Sequence, residues 1–175
     1  MAAGDALLDL RAPFGIMPAS LQAGVYVAYA ASTPSENLFF YAFDAAATEY
    51  IDWRVTIPGH YGGGGMAFEV EFAMISATTN SVRLEVAVRY LDPGESFTAS
   101  HTYSFQGVTV TVPSSLARKA TGTILFTSAQ ADLVPAKGEA IIRFRRKHDD
   151  AGDTAAGDML LARIYVRERS AGESR

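Results

Sequence analysis

The sequence contains no cysteine, so a disulfide framework, a thiolate metal site and a cysteine nucleophile are all excluded, and stability has to come from packing or assembly. Charge is also sparse. Asp, Glu, Lys and Arg make up 19% of the 175 residues against 49% hydrophobic residues, and mean hydropathy is +0.08. That balance is enough for a sizeable core in a single domain and leaves an apolar surplus that points to interfaces. A net charge of −4 supplies no global basic field, which argues against non-specific binding to nucleic acid or to an anionic membrane. No apolar run approaches the roughly 18 residues of a membrane-spanning helix, so a soluble chain is expected. Asp5 and Asp9 stand where a secretory signal would carry positive charge followed by an unbroken apolar stretch, so the chain reads as uncleaved and made in the cytosol. Helical periodicity is nearly absent. Only residues 5–10 and 114–119, the latter capped by Ser114, read as single helical turns.

What is present is period-two alternation, the mark of strands with one buried face. Over residues 66–75, Met66, Phe68, Val70, Phe72 and Met74 share one face and Glu69 and Glu71 the other. Residues 82–91 repeat the pattern, with Val82, Leu84, Val86, Val88 and Tyr90 inward and Arg83, Glu85 and Arg89 outward. The turn-forming SATTNS between them predicts an antiparallel hairpin with acids and arginines paired across it. Residues 50–57 alternate up to Pro58, with Trp53 inward beside Val55. Further strands are expected at 25–30, 38–43, 100–105, 108–112, 122–128, 139–147 and 159–168, a spacing typical of sandwiches. The fold expected is all-β, an antiparallel jelly-roll-type sandwich over residues 25–170. An extended N-terminal arm over 1–24, with Pro13, Gly15 and Pro18, precedes it, and a polar tail over 171–175 follows.

No enzyme is expected. Glu69 and Glu71 share a face as a glycosidase pair would, yet outward acids on a half-buried strand are ordinarily solvated. His60, His101 and His148 are scattered, with no HExxH or serine-elbow pattern. The run Gly62–Gly65 lacks the following helix that a phosphate loop requires and reads as a strand connection. The segment HDDAGDTAAGD gathers Asp149, Asp150, Asp153 and Asp158, enough hard oxygen for calcium but without the spacing of a helix-loop-helix site. Arg143, Arg145, Arg146 and Lys147 immediately before them offer the acids nearer partners, so neither metal nor other cofactor is assigned. The same basic strand lacks interleaved exposed aromatics, which disfavours single-stranded nucleic acid and favours an acidic patch on a partner subunit. The aromatic run Leu38, Phe39, Phe40, Tyr41 and Phe43 is apolar on both faces of one strand, which calls for cover from the chain's own core on one side and from something else on the other. Leu7, Leu10, Phe14, Ile16 and Met17 of the arm, with Phe39 and Tyr41, form the expected assembly interface.

Residues 50–168 resemble small structural proteins of tailed bacteriophages, of the head-decoration, cement or tail-fibre kind. The resembling pieces are YIDWRVTIP, the loop YGGGG, the strands MAFEVEFAMI and VRLEVAVRYL, and the order IIRFRRKHDDAGDTAAGD then MLLARIYVRE. The resemblance implies a virion-located jelly roll, often a homotrimer, with the major capsid protein as partner. On that reading the chain clamps and stabilises a phage head. The alternative is a tail or fibre module, or an adhesin that binds host glycan, with Tyr61 and Tyr103 as stacking platforms.

Overall fold

The computed structural model describes residues 5–12, 14–18, 20–30, 36–96, 100–170 and 172–173. Pro13, the first four residues and Ala171, Ser174 and Arg175 of the expected tail lie outside them. Among the described residues every regular element is a strand: β1 (Ala6–Arg11), β2 (Gly24–Ala30), β3 (Glu36–Phe43), β4 (Glu49–Thr56), β5 (Met66–Met74), β6 (Ser81–Tyr90), β7 (Gln106–Thr111), β8 (Ala120–Phe126), β9 (Glu139–Arg146) and β10 (Met159–Glu168). No helix is long and apolar enough to cross a membrane.

The strands form two antiparallel sheets. The first has the order β2-β3-β10-β5-β8, with β1 also on β10; the second has the order β4-β9-β6-β7. The core lies between them. Phe68, Val70 and Phe72 of β5, Ile164 and Val166 of β10, Ile142 and Phe144 of β9 and Leu84 and Val86 of β6 are buried there. Rings cross the gap edge to face: Phe43 meets Phe144 at 5.1 Å and Tyr41 meets Trp53 at 6.1 Å. Such contacts are how two pleated faces interlock about 10 Å apart. Gly122 of β8 sits where the two sheets come close. A Cβ there would come within 2.6 Å of Val110 of β7, so only glycine lets these outer strands approach.

The structure corrects four expectations. The hairpin predicted from residues 66–75 and 82–91 does not form, because β5 and β6 belong to opposite sheets. Alternation fixes which face of a strand is buried, and both faces are buried here by meeting across the core instead of side by side. Their acids therefore pair elsewhere, Glu71 with Arg163 and Glu69 with Arg167. Residues 5–10 are strand, not helix. Leu7 and Leu10 sit three apart yet both point inward, because a register irregularity between Ala6 and Leu8 flips the face within β1. Residues 114–119 turn without forming a helix. Ala117 adopts φ 57° and its N–H bonds the Met74 carbonyl, which ends any helical path. Residues 100–105 are extended but join neither sheet.

β10 is flanked by β5 along its whole length, but its other edge is shared. β3 pairs with Met159–Leu161 and β1 takes over from Arg163 to Arg167. Most of the expected arm is thus tied down within its own chain. Beyond β1, Ile16 bridges to Asp52, Gln22 bridges to Tyr50, and the Gly15 N–H donates to the Tyr41 hydroxyl at 2.8 Å.

Candidate functional site

The side of the second sheet turned away from the core is built around β9. Alternation sends Ile142, Phe144 and Arg146 inward and leaves Arg143 and Arg145 outward. The register places Asp52 of β4 and Ala87 of β6 on either side of Arg143, and Tyr50 and Glu85 on either side of Arg145. Arg143 makes a two-pronged ion pair with Asp52, at 2.8 and 2.7 Å. Arg145 binds Glu85 at 2.6 Å and donates to the Tyr50 hydroxyl at 3.2 Å. At the end of the sheet Arg89 pairs with Glu95 and Arg54 with Glu139. Every guanidinium of this surface is met by a carboxylate.

Residues 100–105 lie over these arginines as a strap. Its alternate residues point down: the Tyr103 ring lies 4.1 Å from the Arg143 guanidinium carbon and the Phe105 ring 3.7 Å from that of Arg145. Tyr50 stands beside both guanidiniums at 5.5 and 5.8 Å, and His101 packs edge-on to Tyr103 at 5.2 Å. Stacking of guanidinium on ring is worth more once water is excluded. The strap explains why Glu85, Ala87 and Arg89 are buried although they face away from the core. Burial pushes the Tyr103 hydroxyl above its ordinary range, opposed by the Arg143 cation, while the bond that Arg143 donates to Asp52 raises Arg143. The bond from Arg89 holds the Glu95 carboxyl below its ordinary range.

Beside the Arg89–Glu95 and Arg54–Glu139 pairs the surface opens into a cavity of about 520 Å³, bounded by Tyr90, Asp92, Glu95, Lys137 and Glu139. That volume lies within the range of small-molecule sites. The Tyr90 ring, the Asp92, Glu95 and Glu139 carboxylates and the Lys137 ammonium line one opening, with Glu95 and Glu139 fixed by Arg89 and Arg54. Such an arrangement can stack an apolar ligand face and hydrogen-bond a polar rim.

No protein-family model matches the sequence, and no curated protein does. Among solved structures the chain is similar to the CBM22-1 xylan-binding domain of Xyn10C from Paenibacillus barcinonensis, with a TM-score of 0.52 at 12% identity over 98% of this chain and 99% of that one. It is also similar to the family 11 carbohydrate-binding module of Clostridium thermocellum, with a TM-score of 0.46 at 13% identity over 99% and 100%. A third is the C-terminal CBM6 of LamC from Zobellia galactanivorans, with a TM-score of 0.43 at 11% identity over 93% and 99%. The fold is a jelly-roll sandwich.

Several expected site residues of this jelly roll are placed otherwise. Asp149, Asp150, Asp153 and Asp158 do not converge: Asp153 binds Arg146, Asp149 binds Lys147, Asp150 accepts from its own turn at Gly152, and Asp158 accepts from the Ala45 N–H. Of the expected assembly residues, Leu7, Leu10 and Tyr41 are buried in the chain's own core and leave that list. Met17 is half-buried against the same core, whereas Phe14, Ile16 and Phe39 remain exposed. Tyr61 is buried with its hydroxyl accepting from Gly65, so it is no platform; Tyr103 is half-exposed. Glu71 takes bonds from Arg163 and Lys119 that hold its carboxyl below the ordinary range, which removes it as a general acid. His60 bonds the Ala6 carbonyl and His148 bonds Thr48. Tyr50, Phe105, Glu95 and Glu139 were not singled out from sequence. The matched alternation of HTYSF and RFR was the signal for Phe105, since it offers rings and guanidiniums at the same two-residue spacing; no such pattern marks Tyr50, Glu95 or Glu139.

Proposed function

We propose that the chain is a non-catalytic carbohydrate-binding domain that holds a neutral glycan in the cleft at the end of the second sheet, beside the strap. The carrying observation is a cavity of about 520 Å³ lined by Tyr90, Asp92, Glu95, Lys137 and Glu139, whose Glu95 pairs with Arg89, the arginine that the strap's half-exposed Tyr103 also meets. A sugar ring has an apolar C–H face that stacks on an aromatic side chain and a rim of hydroxyls that accept from guanidiniums and donate to carboxylates. Each arginine of the surface already carries its carboxylate, and three carboxylates, Asp92, Glu95 and Glu139, line the cavity against one cation, Lys137, which disfavours a sulfated or uronic sugar. The likeness to a xylan-binding domain supports this reading by showing the same architecture in a protein that binds such a polymer.

Affinity electrophoresis and calorimetry with soluble xylan, mixed-linkage β-glucan, galactan and an acidic polysaccharide test it. One neutral polymer is expected to bind, and Tyr103→Ala or Glu139→Gln to weaken it at least about tenfold, or ~1.4 kcal/mol. Binding to none of them, or to the acidic polymer alone, refutes it. A second reading, a virion protein that clamps capsid subunits as a homotrimer, rests on the sequence resemblance. Exposed apolar residues at Phe14, Ile16 and Phe39 favour it, and co-sedimentation with phage heads is its measurement.

A further inference from the structure

The ribbon formed by β2 and β3 stands apart from the glycan-facing surface and is incompletely covered. β3 pairs with β10 only through Tyr41, Ala42 and Phe43, because β1 occupies the rest of that edge. Among the described residues its residues 36–40 pair with β2 alone. β2 in turn has no strand on its other side among the described residues. A two-stranded ribbon is marginal by itself in water, and an unpaired edge is a row of backbone donors and acceptors ready for another strand. Such edges are ordinarily blunted by charge, proline or a bulge. The sequence of β2, GVYVAYA, has no charge and no proline, and its pairing with β3 runs without irregularity over all seven residues. Apolar side chains flank it: Val25 is 52% exposed, Tyr26 39%, Leu38 45% and Phe39 44%, with Phe14 and Leu21 exposed nearby.

We propose that β2 is the surface through which the chain pairs with a second copy of itself, antiparallel about a two-fold axis at Val27, to make a continuous ribbon β3-β2-β2-β3. Two-fold pairing requires a strand that tolerates its own reverse, and β2 does. Gly24 falls opposite Ala30, Val25 opposite Tyr29, Tyr26 opposite Ala28, and Val27 opposite itself. No tyrosine opposes a tyrosine and no charge is enclosed, so a chain of net charge −4 meets no repulsion along this strand. The edge carries nothing that a charged partner would recognise. The added strands give each ribbon the third and fourth members it lacks.

Sedimentation of the full chain across micromolar concentrations tests this, together with two variants. Wild type is expected to sediment as a concentration-dependent dimer. Val25→Lys with Tyr26→Lys places charge on the open edge at exposed positions and is expected to weaken the dimer at least about tenfold while leaving the β circular-dichroism spectrum unchanged. Val27→Cys introduces the chain's first thiol. Directly opposed antiparallel residues lie about 4.5–5.5 Å apart at Cα, within disulfide reach, so mild oxidation is expected to link two copies through it. Ser115→Cys, in the exposed turn before β8, is expected to stay unlinked. A monomer throughout, a dimer indifferent to the lysines, or a Val27→Cys chain that links no better than Ser115→Cys overturns the proposal. Should the lysine variant not fold, the cysteine pair alone decides. None of these outcomes depends on whether a glycan binds.

Discussion

Arg146 is an arginine that strand periodicity drives into the core. It follows Ile142 and Phe144 on the inward face of β9 and is fully buried, so its charge has to be met inside. Asp153 meets it with both oxygens, at 2.7 and 2.9 Å, and the Ala155 and Gly157 carbonyls accept two further donors at 2.5 and 2.6 Å. One side chain thereby shapes the 147–158 loop, and the Asp153 carboxylate is unavailable to a cation. Arg146→Met leaves Asp153 buried without a counter-charge and is expected to cost about 3–5 kcal/mol in chemical denaturation, part of which Asp153→Asn in the same chain recovers. Carboxylates nearer the surface act through pH. Arg163 holds Glu71 below its ordinary range, and Arg167 holds Glu173 at about 2 against an ordinary 4.5. A depressed folded pKa contributes stability that is present above the unfolded value and lost as pH falls through the folded one. Stability is therefore expected to decline between about pH 4.5 and pH 2 in acid titration followed by circular dichroism. Glu71→Gln should flatten that decline, and a slope unchanged by the substitution would remove Glu71 from the account.

At the scale of elements, the glycine loop before β5 does steric work. Gly65 has φ 109°, and a Cβ there would lie 2.3 Å from the Phe126 carbonyl oxygen at the end of β8. Backbone cannot rotate away as a side chain can, so Gly65→Ala is expected to destabilise by roughly 1–3 kcal/mol in thermal or urea unfolding. Gly63, with φ 80° and open space around its Cβ direction, suffers only the backbone strain, so Gly63→Ala should cost less. The run leads into a strand, β5, and not into a helix. Strand positions from β4 to β10 were legible because Ile51/Trp53, Phe68/Val70/Phe72 and Ile142/Phe144 alternate cleanly. Partnership was not. Nothing in MAFEVEFAM says that β10, ninety residues on, pairs with it in preference to VRLEVAVRY nearby, because a buried face is satisfied equally by a core above or a neighbour beside. The strap was legible as extended chain and misread as strand. His101, Tyr103 and Phe105 alternate as a strand would, but their downward face meets guanidiniums and not a hydrophobic layer. β1 was missed because an irregularity inside six residues breaks the two-residue period that identifies a strand.

For the whole molecule, the decisive question is whether the first 24 residues are an accessory or part of the jelly roll. Read from sequence as an arm, they should be removable, leaving a folded sandwich with weaker assembly. The structure reverses that expectation. Among the described residues β1 supplies the only neighbour on one edge of β10 from Arg163 to Arg167, so its loss strips backbone partners from the strand at the centre of the first sheet. Leu7, Leu10 and Ala23 are core residues, and burying each leucine contributes roughly 1.5–3 kcal/mol, a large part of the 5–15 kcal/mol that holds a domain together. Gly15 and Ile16 also close the space over Ile51, Tyr41 and Asp52, at the edge of the Tyr41–Trp53 contact between the sheets. Deleting residues 1–24 is therefore expected to unfold the chain or lower its melting temperature steeply, with the buried Trp53 emission shifting to the red. Deleting only the first four residues removes none of these contacts and serves as the control. If the longer deletion melts like the full chain with Trp53 emission unchanged, β1 is dispensable and the arm is an accessory after all.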